Sequence, residues 1–319
     1  MVAQKIYTVL LAVLGVWLFA SVSDSRAGVT IPVYPQVMFD FAGTAEQAIQ
    51  YANAYLKRHA TEGAAGSELR LRESSKDALD NLERQVQRAP EDLNLQTALG
   101  VTLFGAWRAK DAQRVFEQAV RTNPSYAIGH CYLGYLALNE KDLKGVAKHF
   151  EQAIQADPTY IPAYNTLAIF YNKIGKTDMA LRILMQGITS LPNEASFFYN
   201  QAIIHWSHEN WRPAEVSLEN AVERQPTEHN RVVLGLILLK RQEYERARAV
   251  YTAILEANPK SVVAMAGLAD TYKGQHDHAK AIALIEQVIA IEPDNKDLQD
   301  ELREHQEAAR TWKNQEKKE

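Results

Sequence analysis

The sequence holds one cysteine in 319 residues, Cys131. A single thiol leaves nothing for an intrachain disulfide, a CxxCH haem attachment or a cysteine-rich zinc site. An excess of positive charge is missing as well: 35 Lys and Arg stand against 39 Asp and Glu, a formal net charge of −4. No basic footprint for nucleic acid exists. There is no glycine-rich phosphate loop, no nucleophile elbow and no isolated pair of carboxylates outside solvated helix faces. Histidine offers two candidates for half of a metal site: His205 with His208 on one helix, and His276-Asp277-His278 in a turn between helices. Neither brings three ligands at a recognisable spacing. Cys131 beside His130 makes no catalytic dyad, because adjacent residues of a helix do not face each other. These absences predict a protein that is not an enzyme and uses no cofactor and no metal.

What is present begins with composition. At 46% hydrophobic and 23% charged residues the chain is globular and long enough to bury a large core, in one elongated domain or two compact ones. Ile6 to Val22 is an apolar run broken only by Thr8 and Ser21, and Ser25-Arg26-Ala27 puts small residues where signal peptidase expects them. Residues 1–27 are therefore expected to be a cleaved signal peptide, or else an inner-membrane anchor through residues 6–22 if left uncut. Either reading exports the rest, with a periplasmic location expected. No cysteine near the cut allows lipid attachment. Removing residues 1–27 takes two basic residues, Lys5 and Arg26, and one acidic residue, Asp24, leaving the chain more anionic. In residues 28–42, Pro32 and Pro35 forbid helix, while Val33, Tyr34, Phe39 and Phe41 are too apolar for a solvated tether. The expectation is an extended strap packed on the first helices, with addition to a partner as the alternative.

Prolines 90, 124, 158, 192, 226, 259 and 293 are spaced 34, 34, 34, 34, 33 and 34 residues apart. A fixed period of this length marks stacked supersecondary units. Two helix-length stretches with apolar residues three and four apart lie between successive prolines, so each unit is a helical hairpin closed by its proline. Asn123, Asp157 and Asn258, just before a proline, add turn-forming side chains.

With the proline at position 32, the register resembles the tetratricopeptide repeat family. Six repeats fit residues 93–295, starting at Leu93, Ala127, Ile161, Ala195, Glu228 and Val262. Position 8 holds Gly100, Gly134, Ala168, Ala202, Gly235 and Ala269; small residues there let the two helices approach. Position 20 holds Ala112, Val146, Ala180, Ala214, Ala247 and Ala281, and position 24 holds Phe116, Phe150, Leu184, Leu218, Tyr251 and Ile285. The fourth repeat departs from the pattern, with polar Gln201 and His205 at core positions. Residues 43–92 read as a degenerate repeat with an enlarged loop. Residues 296–319 read as a polar-backed capping helix, with the stripe Leu298, Leu302, His305, Ala309 and Trp312, and a charged tail. The expected fold is all-α, a right-handed α-solenoid of stacked helix-turn-helix hairpins.

The resemblance implies that first helices line a concave groove through positions 2, 5, 6, 9, 12 and 13. Projected on this chain, those positions give Phe104, Tyr132, Tyr135, Asn139, Asn165, Ile169, Asn172, Tyr199, Asn200, Ile203 and Trp206. Rings interleaved with amides suit an extended peptide, since a side-chain amide can both donate to and accept from a backbone unit. In the competing reading the rings pack on neighbouring helices. The lysine and arginine clamp of the family's chaperone-binding members is missing: positions 2 and 5 of the first three repeats hold Asn94, Thr97, Ile128, Cys131, Pro162 and Asn165. The expected function is an exported, non-enzymatic scaffold that binds a protein or peptide partner in the cell envelope, during assembly of a complex. Self-association into an envelope assembly, or a recruitment domain with a histidine-based metal site, are the alternatives.

Overall fold

The computed structural model describes residues 21–24, 29–32, 75–106, 108–291, 302–303 and 306–307. The remainder of the apolar run and of the strap, Ala48 to Tyr55 of the degenerate repeat, and Leu298, His305, Ala309 and Trp312 of the cap lie outside the described residues. Thirteen helices are described. Helix α1 (Ser75–Arg88) precedes six hairpins: α2 (Leu93–Gly105) with α3 (Ala109–Thr122), α4 (Ala127–Asn139) with α5 (Leu143–Ala156), and α6 (Ile161–Lys173) with α7 (Thr177–Ser190). Then come α8 (Ala195–Ser207) with α9 (Trp211–Arg224), α10 (Glu228–Lys240) with α11 (Tyr244–Ala257), and α12 (Val262–Gly274) with α13 (His278–Ile291). The other described element is an antiparallel ribbon, Ser21–Asp24 paired with Val29–Pro32. The sequence reading did not foresee this ribbon; Pro32 closes its second strand, where a missing amide hydrogen costs least. Among the described residues no helix is long and apolar enough to cross a membrane.

The chain divides into two compact units, residues 35–192 and residues 1–34 with 193–319. Inside each unit consecutive helices pack on one another, the second helix of one hairpin against the first of the next. The residue before five of the repeat-closing prolines leaves the helix as the steric rule requires: Asn123, Asp157, Leu191, Gln225 and Asn258 have φ between −133° and −142°.

Close approach within a hairpin is set at positions 8 and 24. A methyl group on Gly100 would stand 2.6 Å from the Phe116 ring, on Gly134 2.8 Å from Phe150, and on Gly235 2.5 Å from Tyr251. Tyr251 also lies against Gly267, where a methyl would come within 2.3 Å. Alanine takes position 8 only where position 24 is aliphatic: Ala168, Ala202 and Ala269 match Leu184, Leu218 and Ile285. A thicker side chain on one helix thus goes with a thinner one on the other, as close packing at a shared contact requires.

The turn inside each of the last five hairpins is a left-handed closure at position 15. Lys141, Gly175, Glu209, Gln242 and His276 have φ of 61°, 76°, 56°, 59° and 62°. The following amides, those of Asp142, Lys176, Asn210, Glu243 and Asp277, donate back to the carbonyls of Ala137, Tyr171, His205, Leu238 and Tyr272 at 2.8 to 2.9 Å. This is the 6→1 bond of the Schellman motif, which satisfies carbonyls left open at a helix end. Four of the five residues are not glycine, each at a conformational cost of about 1 kcal/mol or more.

A second repeated device ties four of the six first helices to the connection before them. Gln96, His130 and Tyr164, all at position 4, bond through their side chains to the carbonyls of Pro90, Pro124 (2.9 Å) and Pro158 (3.2 Å). Asn230, one place earlier, donates to the carbonyl of Gln225 at 2.8 Å. At the end of the array, Leu302 packs on Ala269, Ala281 and Ile285.

Candidate functional site

In residues 35–192 the rings assigned to the inner face join one aromatic stack. Tyr132 lies parallel to Phe116 at 4.7 Å and edge-on to Phe104 at 5.7 Å; Tyr135 stands edge-on to Phe150 at 5.2 Å. The Tyr135 hydroxyl reaches Thr166 Oγ1 on α6 at 3.2 Å. Tyr132, Tyr135 and Asn165 are buried; Phe104, Ile169 and Asn172 are partly buried, and Asn139 is exposed. In the other unit Tyr199, Asn200, Ile203 and Trp206 are all buried. Trp206 packs edge-on against Trp211 at 5.5 Å, and the Tyr199 hydroxyl hydrogen-bonds His229 Nε2 at 2.9 Å. Most of the large residues projected onto the groove thus make helix-to-helix contacts. Alanine at Tyr135, Asn165 or Trp206 would open the core along with any binding face. Among the projected residues, those not fully buried are Phe104, Asn139, Ile169 and Asn172.

Position arithmetic places side chains on the correct helix but does not tell how deep they go. His229 shows the same gap. It stands at position 2 of the fifth repeat, and burial holds its imidazole down to about 4 from the ordinary 6.5. The folded form therefore stays neutral while the unfolded chain takes up a proton below pH 6.5. The stability this neutral state contributes is complete above pH 6.5 and lost as pH falls toward 4. Each pKa unit is worth about 1.36 kcal/mol, and partial solvent access reduces the full shift to roughly 2 kcal/mol. Urea midpoints measured between pH 7 and pH 4 should fall by that amount in the natural protein, and by distinctly less in His229→Gln. Equal slopes for the two proteins would refute it.

The histidine candidates do not converge on a site. His205 is half-buried and His208 exposed; burial, then the neighbouring His208, lowers the His205 pKa. The rings of His276 and His278 are 6.3 Å apart, and Asp277 between them pairs with Lys280 at 2.7 Å. No group of three or more His, Cys, Asp or Glu that could hold a metal exists among the described residues. Cys131 is buried, and the bond of His130 Nε2 to the Pro124 carbonyl commits that ring to a structural contact. The sequence reading missed Glu215, a fully buried carboxylate on α9 bonded by Arg212, Arg241 and Arg246. Its arginine partners on the next hairpin lie 26 and 31 residues away, and no local pattern marks them.

A chain of helical hairpins closed by prolines, with small residues facing large ones inside each pair, defines a helical repeat protein. Three family models described as tetratricopeptide repeat match it, at residues 238–304, at 149–182, and at 97–161 with 199–262. The chain belongs to the tetratricopeptide-repeat proteins. Solved structures share this solenoid fold at low identity. The C-terminal part of a repeat protein from Cytophaga hutchinsonii aligns over 79% of this chain and 98% of its own, at 15% identity and TM-score 0.57. Pseudomonas aeruginosa pilF aligns over 73% and 100%, at 16% identity and TM-score 0.50. The APC/C hetero-tetramer Cut9–Hcn1 aligns over 73% of this chain and 46% of its own, also at 16% and 0.50. No curated protein matches the sequence.

Proposed function

We propose that this chain is a non-enzymatic protein-interaction scaffold, and that its first-helix faces hold an extended segment of a partner protein. The observation that carries the proposal is the repeated inner face at the rim of the buried ring stack, where the exposed Asn139 accompanies the partly open Phe104 and Ile169. Such a face combines apolar area with an amide that can pair with a peptide backbone. The helices beneath it are locked by ring packing, left-handed turn closures and carbonyl latches, so binding costs little reorganisation. A fold neighbour, Cut9, was solved as a hetero-tetramer with Hcn1, in keeping with a role in protein assembly. The proposal extends to location: Ile6 to Val22 followed by Ser25-Arg26-Ala27 favours export and work on a cell-envelope complex.

The test uses the rim, not the core. A photo-crosslinking residue at exposed position 139 should trap a discrete partner in the envelope fraction. Ile169→Lys should weaken that capture by roughly 1 to 3 kcal/mol while leaving the helical circular dichroism unchanged. Undiminished crosslinking in Ile169→Lys would remove this face as the binding surface. Recovery of the protein from cytosol alone would remove the envelope assignment.

A further inference from the structure

The second repeat carries a pair of histidines of which the scaffold reading uses only Nε2 of His130. His130 on α4 and His149 on α5 have near-parallel rings, 27° apart, with centroids separated by 6.2 Å. Both Nδ1 atoms are buried and without a hydrogen-bond partner, and so is Oε1 of Gln152, one turn along α5 from His149. Three lone-pair atoms of metal-ligating type, left unsatisfied together within one hairpin, call for a shared partner.

The tautomer is already set for one. His130 Nε2 lies 2.9 Å from the carbonyl oxygen of Pro124, which can only accept, so Nε2 carries the hydrogen and Nδ1 presents its lone pair. A metal-bound histidine typically donates its second nitrogen to a backbone carbonyl in this way, which fixes the ring and raises its basicity. Burial lowers the pKa of His149, with Lys148 and His130 adding to the effect and Asp142 and the Gln152 side chain opposing it. With metal–nitrogen bonds of about 2.0–2.1 Å, two imidazoles on one ion have centroids roughly 5 to 6.5 Å apart. The observed spacing lies at the wide end of that range, where the two nitrogens stand nearly opposite each other across the ion. His130 is buried while His149 is half-buried, so an ion would enter from the α5 side.

We propose that His130 and His149, with the amide oxygen of Gln152 as third donor, bind a borderline divalent transition metal, Zn2+ or Cu2+. Imidazole nitrogen suits both ions, and water would complete the coordination. Because His130 is also the latch to Pro124, a bound ion joins three segments: the connection before α4, α4 itself, and α5. It would clamp the hairpin that carries Tyr132 and Tyr135.

Titration of the full chain with CuCl2 or ZnCl2 alone, followed by calorimetry, should show one equivalent bound. The Cu2+ form should give an electron paramagnetic resonance spectrum with coupling to two nitrogens. His149→Gln should weaken binding roughly tenfold or more and abolish the Zn2+-dependent rise in the unfolding midpoint, with the metal-free midpoint little changed. His130→Gln, which keeps a donor for the Pro124 carbonyl, should do the same. If that variant fails to fold, the half-buried His149→Gln decides alone. Absence of stoichiometric binding by either ion overturns the proposal, as does unchanged affinity in His149→Gln, which would place the ion elsewhere, for instance at His276 and His278.

Discussion

Gly134→Ala is expected to destabilise the protein by about 2 kcal/mol, although alanine is the better helix former by about 1 kcal/mol. The added methyl would lie 2.8 to 2.9 Å from three ring carbons of Phe150. Phe150 is fully buried, and Tyr135 stands edge-on to it at 5.2 Å, so the ring has nowhere to retreat. Overpacking of this kind costs about 1 to 3 kcal/mol, occasionally more, and the rigid ring puts this site at the upper end. The pairing at the other repeats supplies a rescue. Ala168 and Ala202 coexist with Leu184 and Leu218, both fully buried. Phe150→Leu alone should also destabilise, by leaving a void. Combined in one chain, the two substitutions should cost less than their sum by about 1 to 2 kcal/mol, a coupling that thermal unfolding followed by circular dichroism can measure. Strictly additive losses would show that the ring and the helix backbone are not in steric conflict.

That coupling was present in the sequence in plain form. Glycines at 100, 134 and 235 stand opposite Phe116, Phe150 and Tyr251, and alanines at 168, 202 and 269 opposite aliphatic residues. The period and the helix ends were legible because proline acts on its own backbone and on the residue before it. The left-handed turns were not, because Lys141, Glu209, Gln242 and His276 share no chemistry; their φ is imposed by the helices they join. The carbonyl latches were hidden for the same reason, since glutamine, histidine, tyrosine and asparagine perform one role at nearly one position. The inner face was half legible. Its positions follow from the register, but a tyrosine is long enough to cross to the next helix. Tyr135 and Tyr199 do so, reaching Thr166 and His229.

Glu215 should prove the most sensitive charged residue among the described helices. Its carboxylate on α9 is fully buried, with Arg212 Nη1 at 2.8 Å, Arg246 Nη1 at 2.6 Å, and Arg241 bonded to its other oxygen. Arg246 also holds Glu219 at 2.6 Å and Arg241 reaches Glu243 at 3.4 Å, so three guanidiniums balance three carboxylates. Breaking a buried pair by removing one member costs about 3 to 5 kcal/mol, because the other charge is stranded. Here the cost is reduced: Arg212 and Arg246 are 64% and 43% exposed and can turn to water, whereas Arg241 is only 23% exposed. Glu215→Ala should therefore cost about 3 kcal/mol. Glu215→Gln, which keeps the volume but not the charge, should cost most of that and so separate electrostatics from cavity formation. Arg212→Ala, an exposed partner, should cost under about 1 kcal/mol. The network joins α9 to α11 and to the turn after α10, so its loss acts on the coupling between the fourth and fifth repeats rather than on either repeat alone. In an array held by nearest-neighbour interfaces, weakening one interface splits a single unfolding transition into two. Urea unfolding of Glu215→Gln should show that split, and a single transition with an unshifted midpoint would mean that the buried carboxylate contributes nothing to holding the repeats together.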